Sequence, residues 1–286
     1  MSKAADTFAE TLIARMEEGN LPPWRKTWRA DTSMPRNAKS GRAYRGMNVW
    51  ILALTSMSKG YADPRWMTFN QARDLGGMVR KGEKGSAVAF FQPPERDDEG
   101  NVEKAPFWKT FHVFNVEQID GLTLAPLAQD ETPRDPLEAC EAVIAGMPNP
   151  PVIRQIAGAQ ACYHPVQDAI TTARMADFES VEAFYVTLFH EVGHSTGAEQ
   201  RLNRDGVTDR IHFGSDRYGR EELVAEMTSA MLAAETGIDA PTVENTAAYL
   251  ASWIRTIRED PSILLQAAGQ AQRAVDYVLD RKPASA

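Results

Sequence analysis

Apolar side chains recur with helical spacing over residues 180–194. The positions on this face are Val181, Phe184, Tyr185, Leu188 and Val192. A period of 3.6 residues places them on one side of a helix, and Ser180 precedes them as a suitable N-cap. The pattern therefore predicts an amphipathic helix that runs to His194.

Similar patterns predict the other elements of the chain. Runs rich in Phe and Val at 86–92 and 107–116 flank a turn-like segment at 97–101, which predicts a β-hairpin. Extended segments are also expected at 152–156 and at 161–172, the second with short turns at Pro165 and Asp168. Helices are predicted at 5–16, 46–57, 70–75, 137–145, 220–235, 243–258 and 262–279.

The order of these elements divides the chain into two parts. Residues 125–136 contain three prolines and show little periodicity, which is typical of a linker. The sequence therefore predicts an N-terminal α/β domain with a β-hairpin at 1–124 and a mostly helical domain at 137–286. Together they predict a two-domain α+β protein.

Composition excludes several classes of protein. A chain of 286 residues with 43% hydrophobic and 24% charged residues is neither collagen-like nor wholly disordered. Cys140 and Cys162 each stand alone, which excludes a disulfide framework and a cysteine-type zinc site. No apolar run reaches the ~18–20 residues that span a bilayer, and the N-terminus lacks an apolar signal core. We therefore expect a cytoplasmic protein with no membrane partner.

Charge is distributed unevenly along the chain. The net charge is −8, yet residues 24–84 contain 13 basic and 4 acidic residues, a local balance of +9. The remainder contains 18 basic and 35 acidic residues, a balance of −17. A concentrated positive segment favours one face that binds a polyanion, and the alternative is a solvated basic loop region.

The strongest chemical signal is the HExxH motif formed by residues 190–194. On a helix, His190 and His194 lie one turn apart on the same face, so both imidazoles can reach one metal ion. Glu191 lies beside them, where its carboxylate can take a proton from a water molecule at the metal. The alternative is a pair of solvent-facing histidines on an amphipathic helix.

A third metal ligand is expected from the next predicted helix. Glu222 and Glu226 form an i,i+4 pair on one face, which suits one carboxylate on the metal and a second that orients a ligand histidine. We predict Glu222 as the ligand and Glu226 as the orienting residue; the alternative makes Glu226 the ligand. His212 is a further candidate, and Glu221 is expected to face solvent.

Such a site predicts metal-assisted hydrolysis, with peptide hydrolysis as the default reaction. Glu191 is the predicted catalytic residue. Tyr163 and Tyr218 are candidates, by residue type only, for stabilising an oxyanion, and the alternative for each is a tyrosine in the core. The nitrogen and oxygen donors favour Zn²⁺, and Mn²⁺ or another divalent ion also fits them.

The first half combines cations with aromatic side chains. Five of the six tryptophans precede the linker. Proteins that bind single-stranded nucleic acid use aromatic rings to stack on the bases and cations to contact the phosphates. Glycine-flanked basic loops at 41–46 and 79–85 permit close approach of the backbone to a phosphate. Trp50 and Trp108 are expected in the core. The candidate DNA-binding residues are Arg36, Arg42, Tyr44, Arg45, Trp66, Arg80, Lys81 and Lys84.

Several runs carry a resemblance to a known family. They are NAKSGRAYRGMN at 37–48, WMTFNQA at 66–72, GGMVRKGEKG at 76–85, HEVGHSTG at 190–197, FGS at 213–215 and EELVAE at 221–226. On these runs the chain resembles the ArdC antirestriction family of conjugative plasmids, over nearly its full length. The first-half runs also resemble the start of plasmid primases that travel with transferred DNA.

The resemblance implies a single-stranded DNA-binding domain followed by a zincin-like metallopeptidase domain of the gluzincin type. It also implies protection of incoming conjugative DNA from host restriction. The alternative is an active zinc metallopeptidase that the DNA-binding half delivers to a protein target, such as a host restriction enzyme. A third reading is a metal ion that only stabilises the fold.

Overall fold

The computed structural model describes residues 9–10, 12–14, 16–17, 34–92, 95–96, 102–104, 107–127, 135–208, 216–238 and 247–281. Among these, residues 34–127 form one compact unit, and residues 135–281 form a second together with the helical residues at 9–17. The domain limits predicted from the sequence stay a prediction.

The first unit is built on a four-stranded sheet. Its described elements are β1 (Arg36–Asn37), α1 (Met47–Lys59), β2 (Arg65–Thr68), α2 (Phe69–Asp74), β3 (Met78–Val79), β4 (Ser86–Gln92), β5 (Glu95–Arg96), β6 (Val102–Lys104), β7 (Phe107–Asn115) and β8 (Ile119–Asp120). The strand order is β1-β2-β7-β4, with β1 parallel to β2 and the other neighbours antiparallel. The predicted hairpin is confirmed, since β4 pairs with β7 from Ser86 opposite Val113 to Gln92 opposite Phe107.

Helix α1 packs against β4 and ends where the sequence changes to glycine. Gly60 adopts φ 72°, a left-handed conformation that glycine adopts without strain, and its N–H is bonded to the Ser56 carbonyl. At the other end of the helix, the Asn48 amide both donates to and accepts from the backbone of Ala89, at 2.8 Å each way. These two bonds occupy backbone groups of β4, the edge strand of the sheet.

The second unit is mostly helical and contains a small sheet. Its described elements are α3 (Pro136–Gly146), β9 (Val152–Gln155), β10 (Cys162–His164), β11 (Ala169–Thr172), α4 (Val181–Ser195), α5 (Asp205–Thr208), α6 (Asp216–Thr236), α7 (Ala247–Glu259) and α8 (Ser262–Val278). The sheet order is β10-β11-β9. The predicted extended run at 161–172, with its turns at Pro165 and Asp168, is confirmed: β10 and β11 pair antiparallel as a hairpin with a turn at 165–168.

Helices α4 and α6 carry the residues of the predicted metal site, and their starts can be compared with the predicted ones. Ser180 caps α4 as predicted, because its hydroxyl accepts a hydrogen bond from the Ala183 N–H at 3.1 Å. Helix α6 begins at Asp216, four residues before the predicted start. The molecule is thus an α+β protein with an N-terminal α/β unit and a C-terminal helical unit. In the part of the chain that the structure describes, every helix is too short or too polar to cross a membrane.

Candidate functional site

Helix α4 brings the two histidines of the HExxH motif together. The Nε2 atoms of His190 and His194 lie 3.1 Å apart, and the ring centroids are 4.8 Å apart with the planes at 80°. Both side chains are partly exposed, at 21% and 15%. The imidazoles therefore converge on one point that solvent can reach.

Helix α6 supplies a carboxylate to the same point. Oε2 of Glu222 lies 3.5 Å from Nε2 of His190, and its Oε1 lies 3.4 Å from Nε2 of His194. One donor atom from each of the three residues lies within 4.8 Å of the others, which is the spacing of a three-ligand metal site. Nitrogen and carboxylate oxygen donors suit a divalent first-row metal ion.

Gly193 allows the two helices to approach this closely. A Cβ atom built at this position would lie 3.0 Å from the Ala225 Cα and 3.3 Å from both the Ala225 carbonyl oxygen and the Thr228 Cβ. A Cβ at this position would require α6 to shift by a few tenths of an ångström, because a contact with backbone cannot be relieved by a rotamer change. The glycine between the histidines therefore permits the close approach of α6, the helix that carries Glu222.

The other candidate ligands lie outside this cluster. Glu226 is buried one turn further along α6, at 7% exposure, and does not belong to the three-residue group among the described residues. This geometry favours Glu222 over the alternative assignment. His212 and the Phe213–Ser215 run lie outside the described residues.

Glu221 was expected to face solvent, and this expectation is wrong. It is 6% exposed, and its carboxylate forms a bidentate ion pair with Arg204, in which Nε donates to Oε2 at 2.9 Å and an Nη donates to Oε1. Glu221 Oε1 also lies 3.5 Å from Nδ1 of His194. Glu221 therefore lies where a carboxylate can orient the His194 ring, the role that the sequence predicted for Glu226.

Arg204 is a site residue that the sequence did not predict. Besides Glu221, its guanidinium donates to the Gly193 carbonyl at 2.8 Å and to the Thr196 hydroxyl at 2.6 Å. It therefore joins the end of α4 to the first two turns of α6. The loop between these helices contains three arginines, Arg201, Arg204 and Arg210, and spacing alone does not single out the second of them.

Glu191 is held by the neighbouring sheet. The backbone N–H of Tyr163 on β10 donates to Glu191 Oε2 at 2.7 Å, and the side chain is 7% exposed. One carboxylate oxygen is therefore fixed, and in the described part of the chain no donor is bonded to the other. A fixed carboxylate beside two converging imidazoles is suited to accept a proton within the site.

Tyr163 offers its hydroxyl elsewhere. The hydroxyl donates to Asp168 at 2.8 Å, and Asp168 also accepts two bonds from Arg201 at 2.8 Å each. Burial and the bond to Asp168 together raise the pKa of Tyr163 to about 12. The tyrosine is 6% exposed, so the core interpretation holds rather than the oxyanion role. Tyr218 lies in α6.

The electrostatics of the three-residue cluster match a cation site. Burial disfavours the charged form of Glu222, but its contacts with His190 and His194 outweigh burial and hold the pKa of this carboxyl well below its usual range. The pKa of His194 is also shifted. Burial lowers it, but the contacts with the carboxylates of Glu221 and Glu222 outweigh burial and raise it to about 10. The cluster thus concentrates negative charge around the imidazoles, which favours a bound cation.

In the first unit, the cations predicted to contact DNA lie mainly at the surface. The exposed ones are Arg42, Arg45, Arg80, Lys81 and Lys84. Arg80 is engaged, since its guanidinium pairs with Glu83 at 3.0 Å and lies 3.5 Å from Asp120. Arg36 is half-buried in β1. The loop at 41–46 connects β1 to α1, and the loop at 79–85 connects β3 to β4.

The aromatic side chains predicted to contact DNA are buried. Trp66 is 0% exposed and packs edge-on against Tyr61 at 5.9 Å, and Tyr44 is 6% exposed. A buried ring has no face for a nucleobase, so the aromatic residues predicted from the sequence are the wrong ones for stacking. Trp50 is 1% exposed and confirms the expected core position. The side chain of Trp108 and the segment at 24–29 lie outside the described residues.

Comparison with known proteins agrees with both units. Residues 2–114 match the family described as the N-terminal domain of anti-restriction factor ArdC, and residues 141–270 match the family described as zincin-like metallopeptidase. DNA primase TraC of Escherichia coli is 36% identical over 96% of this chain, but the chain spans only 27% of that primase. Protein y4eC of Sinorhizobium fredii is 34% identical over 93% of this chain and 88% of its own length.

The similarity extends to solved structures. The metal-free crystal structure of the antirestriction ArdC protein from plasmid R388 has a TM-score of 0.77 and 37% identity, covering 98% of each chain. Its Mn(II)-bound crystal structure gives the same TM-score and identity over 97% of each chain. Fold and site define a two-domain protein with a zincin-like metallopeptidase domain, whose fold implies a divalent metal. The chain belongs to the ArdC antirestriction family.

Proposed function

We propose that this chain is a cytoplasmic plasmid antirestriction protein that binds single-stranded DNA and protects incoming conjugative DNA from host restriction. The supporting observation is the match to ArdC of R388, which covers 98% of both chains at 37% identity. The exposed cations of the first unit add a physical basis, because Lys and Arg at a surface supply the phosphate contacts that dominate affinity for nucleic acid.

The ligands of the metal ion are proposed to be His190, His194 and Glu222, with Zn²⁺ or Mn²⁺ as the ion. When bound there, such an ion supplies a Lewis acid for a carbonyl oxygen or a water molecule. Glu191 would hold and pass on a proton at its carboxylate, which the Tyr163 N–H keeps in place. Glu221 would keep the His194 ring oriented through Nδ1.

Metal binding is tested by dialysis against Zn²⁺ or Mn²⁺, metal analysis and thermal unfolding with and without chelator. At an ion concentration about 100 times the Kd, binding adds about 2.7 kcal/mol to the free energy of unfolding, and a chelator removes it. Glu222→Gln should abolish stoichiometric binding, whereas Glu226→Gln is the matched control that retains it. Binding that survives Glu222→Gln and disappears in Glu226→Gln would assign the ligand to Glu226.

DNA binding is tested by replacing Arg42, Arg45, Lys81 and Lys84 together with glutamine. Affinity for single strands should fall, and the slope of log K against log salt should become less steep by about 0.7 for each phosphate that is no longer neutralised. A control with the same change in net charge replaces four exposed arginines of the second unit with glutamine, namely Arg220, Arg255, Arg258 and Arg273. An unchanged affinity and slope in the first variant contradicts the proposal.

The alternative function is an active metallopeptidase that acts on a protein target, such as a restriction enzyme. The anchored carboxylate of Glu191 favours it, since a purely structural metal site has no use for a positioned base. Glu191→Gln keeps the hydrogen bond from the Tyr163 N–H and removes the base. If recipients that carry this variant resist restriction as well as wild type while metal content is unchanged, protection does not require proteolysis.

A further inference from the structure

An aromatic pair with one exposed and one half-buried ring lies on β4 and β7 of the first unit, at positions that the sequence did not single out. Phe90 on β4 is 39% exposed, and its ring lies 5.5 Å from that of Phe111 on β7 in an edge-to-face arrangement at 78°. Phe90 is opposite Lys109 and Phe111 is opposite Val88 in the strand register. Since residues directly opposite share one face of a sheet, both rings project from the same side.

Cations lie beside this pair. The ammonium group of Lys109, itself exposed, lies 5.0 Å from the centre of the Phe111 ring. The ring of Tyr44 lies 6.4 Å from that of Phe90, so the loop that carries Arg42 and Arg45 is anchored next to the pair. Lys109 therefore lies against the pair, and Tyr44 brings the backbone of the segment that carries Arg42 and Arg45 close to it.

A single exposed phenylalanine is ordinary on a protein surface. Phe69 is such a case, at 47% exposure on the first turn of α2. Phe90 differs because it is paired with a second ring, it packs near the buried Tyr44 ring, and the ammonium group of Lys109 lies against its partner Phe111. Rings that offer a stacking face, next to groups that attract phosphates, are what single-stranded nucleic acid requires.

We propose that Phe90 and Phe111 form a base-stacking platform for single-stranded DNA, with Lys109, Arg42 and Arg45 contacting the phosphates. The inference rests on the proposed DNA-binding function and names the side chains that carry it. Bases in a duplex are already stacked on each other, so this platform selects unpaired strands. Because every base has an aromatic face, the platform binds without strong sequence preference.

The test is fluorescence anisotropy with a labelled oligothymidylate, with the matching duplex as a second probe. Phe90→Ala should weaken single-strand binding roughly 5- to 150-fold, the range that loss of one stacked base gives. Phe90→Leu, which keeps apolar volume without a ring, should show a similar loss, and Phe90→Tyr should retain binding. Lys109→Gln should reduce the salt slope by about 0.7.

Phe69→Ala is the matched control, because it removes an equally exposed phenylalanine of the same unit and should leave affinity unchanged. Thermal unfolding of each variant verifies that the unit is folded. If folded Phe90→Leu binds as tightly as wild type, or if Phe69→Ala is as weak as Phe90→Ala, the platform is wrong while DNA binding stands. If wild type shows no affinity for the oligothymidylate, both the platform and the proposed function are overturned.

Discussion

The two units of this protein differ in how far their functional residues follow from local sequence. In the second unit, the predicted ligands His190 and His194 converge with Nε2 atoms 3.1 Å apart, and Glu222 reaches both. In the first unit, most of the predicted cations are exposed, but the predicted aromatic residues Trp66 and Tyr44 are buried. Local patterns therefore predicted side chains that can share one metal ion in the second unit, but aromatic side chains too buried to stack on a base in the first.

The difference has a physical origin. Helix geometry is local, so two residues four apart lie on one face wherever the helix packs. Burial of an aromatic residue in a sheet depends on which face another element covers, and strand alternation leaves that choice open. Charged residues are exposed in either case, because burying an unpaired charge is costly.

The largest expected effect follows the loss of Arg204, whose contacts in the second unit join residues that are distant in the sequence. Arg204→Met leaves Glu221 buried without its cation, so the free energy of unfolding should fall by about 3–5 kcal/mol. Metal affinity should fall roughly 10- to 100-fold, because the proposed role of Glu221 is to orient the His194 ring. Urea unfolding and competition with a metal-binding dye measure the two effects.

The double variant Arg204→Met with Glu221→Leu separates stability from positioning. Removing both charges should recover part of the stability, since no buried charge is left unpaired. Metal affinity should stay low, because nothing then orients His194. Recovery of metal affinity along with stability would show that the ion pair acts only on the fold.

Trp66 gives a matching test in the first unit. Trp66→Ala should lower the free energy of unfolding by about 3–5 kcal/mol, as truncation of a fully buried aromatic side chain does. Trp66→Phe should remain folded and bind single-stranded DNA as tightly as wild type, because the ring has no surface for a base. A loss of affinity in folded Trp66→Phe would restore the sequence-based assignment. Urea unfolding and strand titration are the measurements.

The smallest expected effect concerns the pair of Asp168 and Arg201, which does not touch a ligand histidine. The hydrogen bonds from Arg201 lower the pKa of Asp168 more than burial raises it. Asp168→Asn should lower the free energy of unfolding by about 1.5–3 kcal/mol at neutral pH and leave metal affinity unchanged. Asparagine tolerates the positive φ of 44° at this position, so the backbone need not change.

The pH dependence of that loss follows from the direction of the shift. A carboxyl whose pKa is lowered by folding adds stability that is fully present above its unfolded pKa of ~3.9 and is lost as pH falls through the folded value. The difference between wild type and Asp168→Asn should therefore shrink below about pH 4. Urea midpoints at a series of pH values measure it, and a difference that stays constant from neutral pH down to acid contradicts it.

The elements whose signals are local can be predicted from the order of the amino acids. The HExxH helix, its Ser180 cap and the hairpin of 86–92 with 107–115 follow from periodicity and strand composition, because those patterns act over one or two turns of chain. The family resemblance likewise needed only short runs of residues.

Which groups meet across elements depends on how distant segments pack. The tertiary structure placed Arg204 and Glu221 behind His194, made Gly193 the contact point of two helices, and buried Trp66 while exposing Phe90. Each of these depends on which face of one element another covers, and packing between distant segments sets that relation. The spacing of residues in the sequence does not indicate which face will be covered.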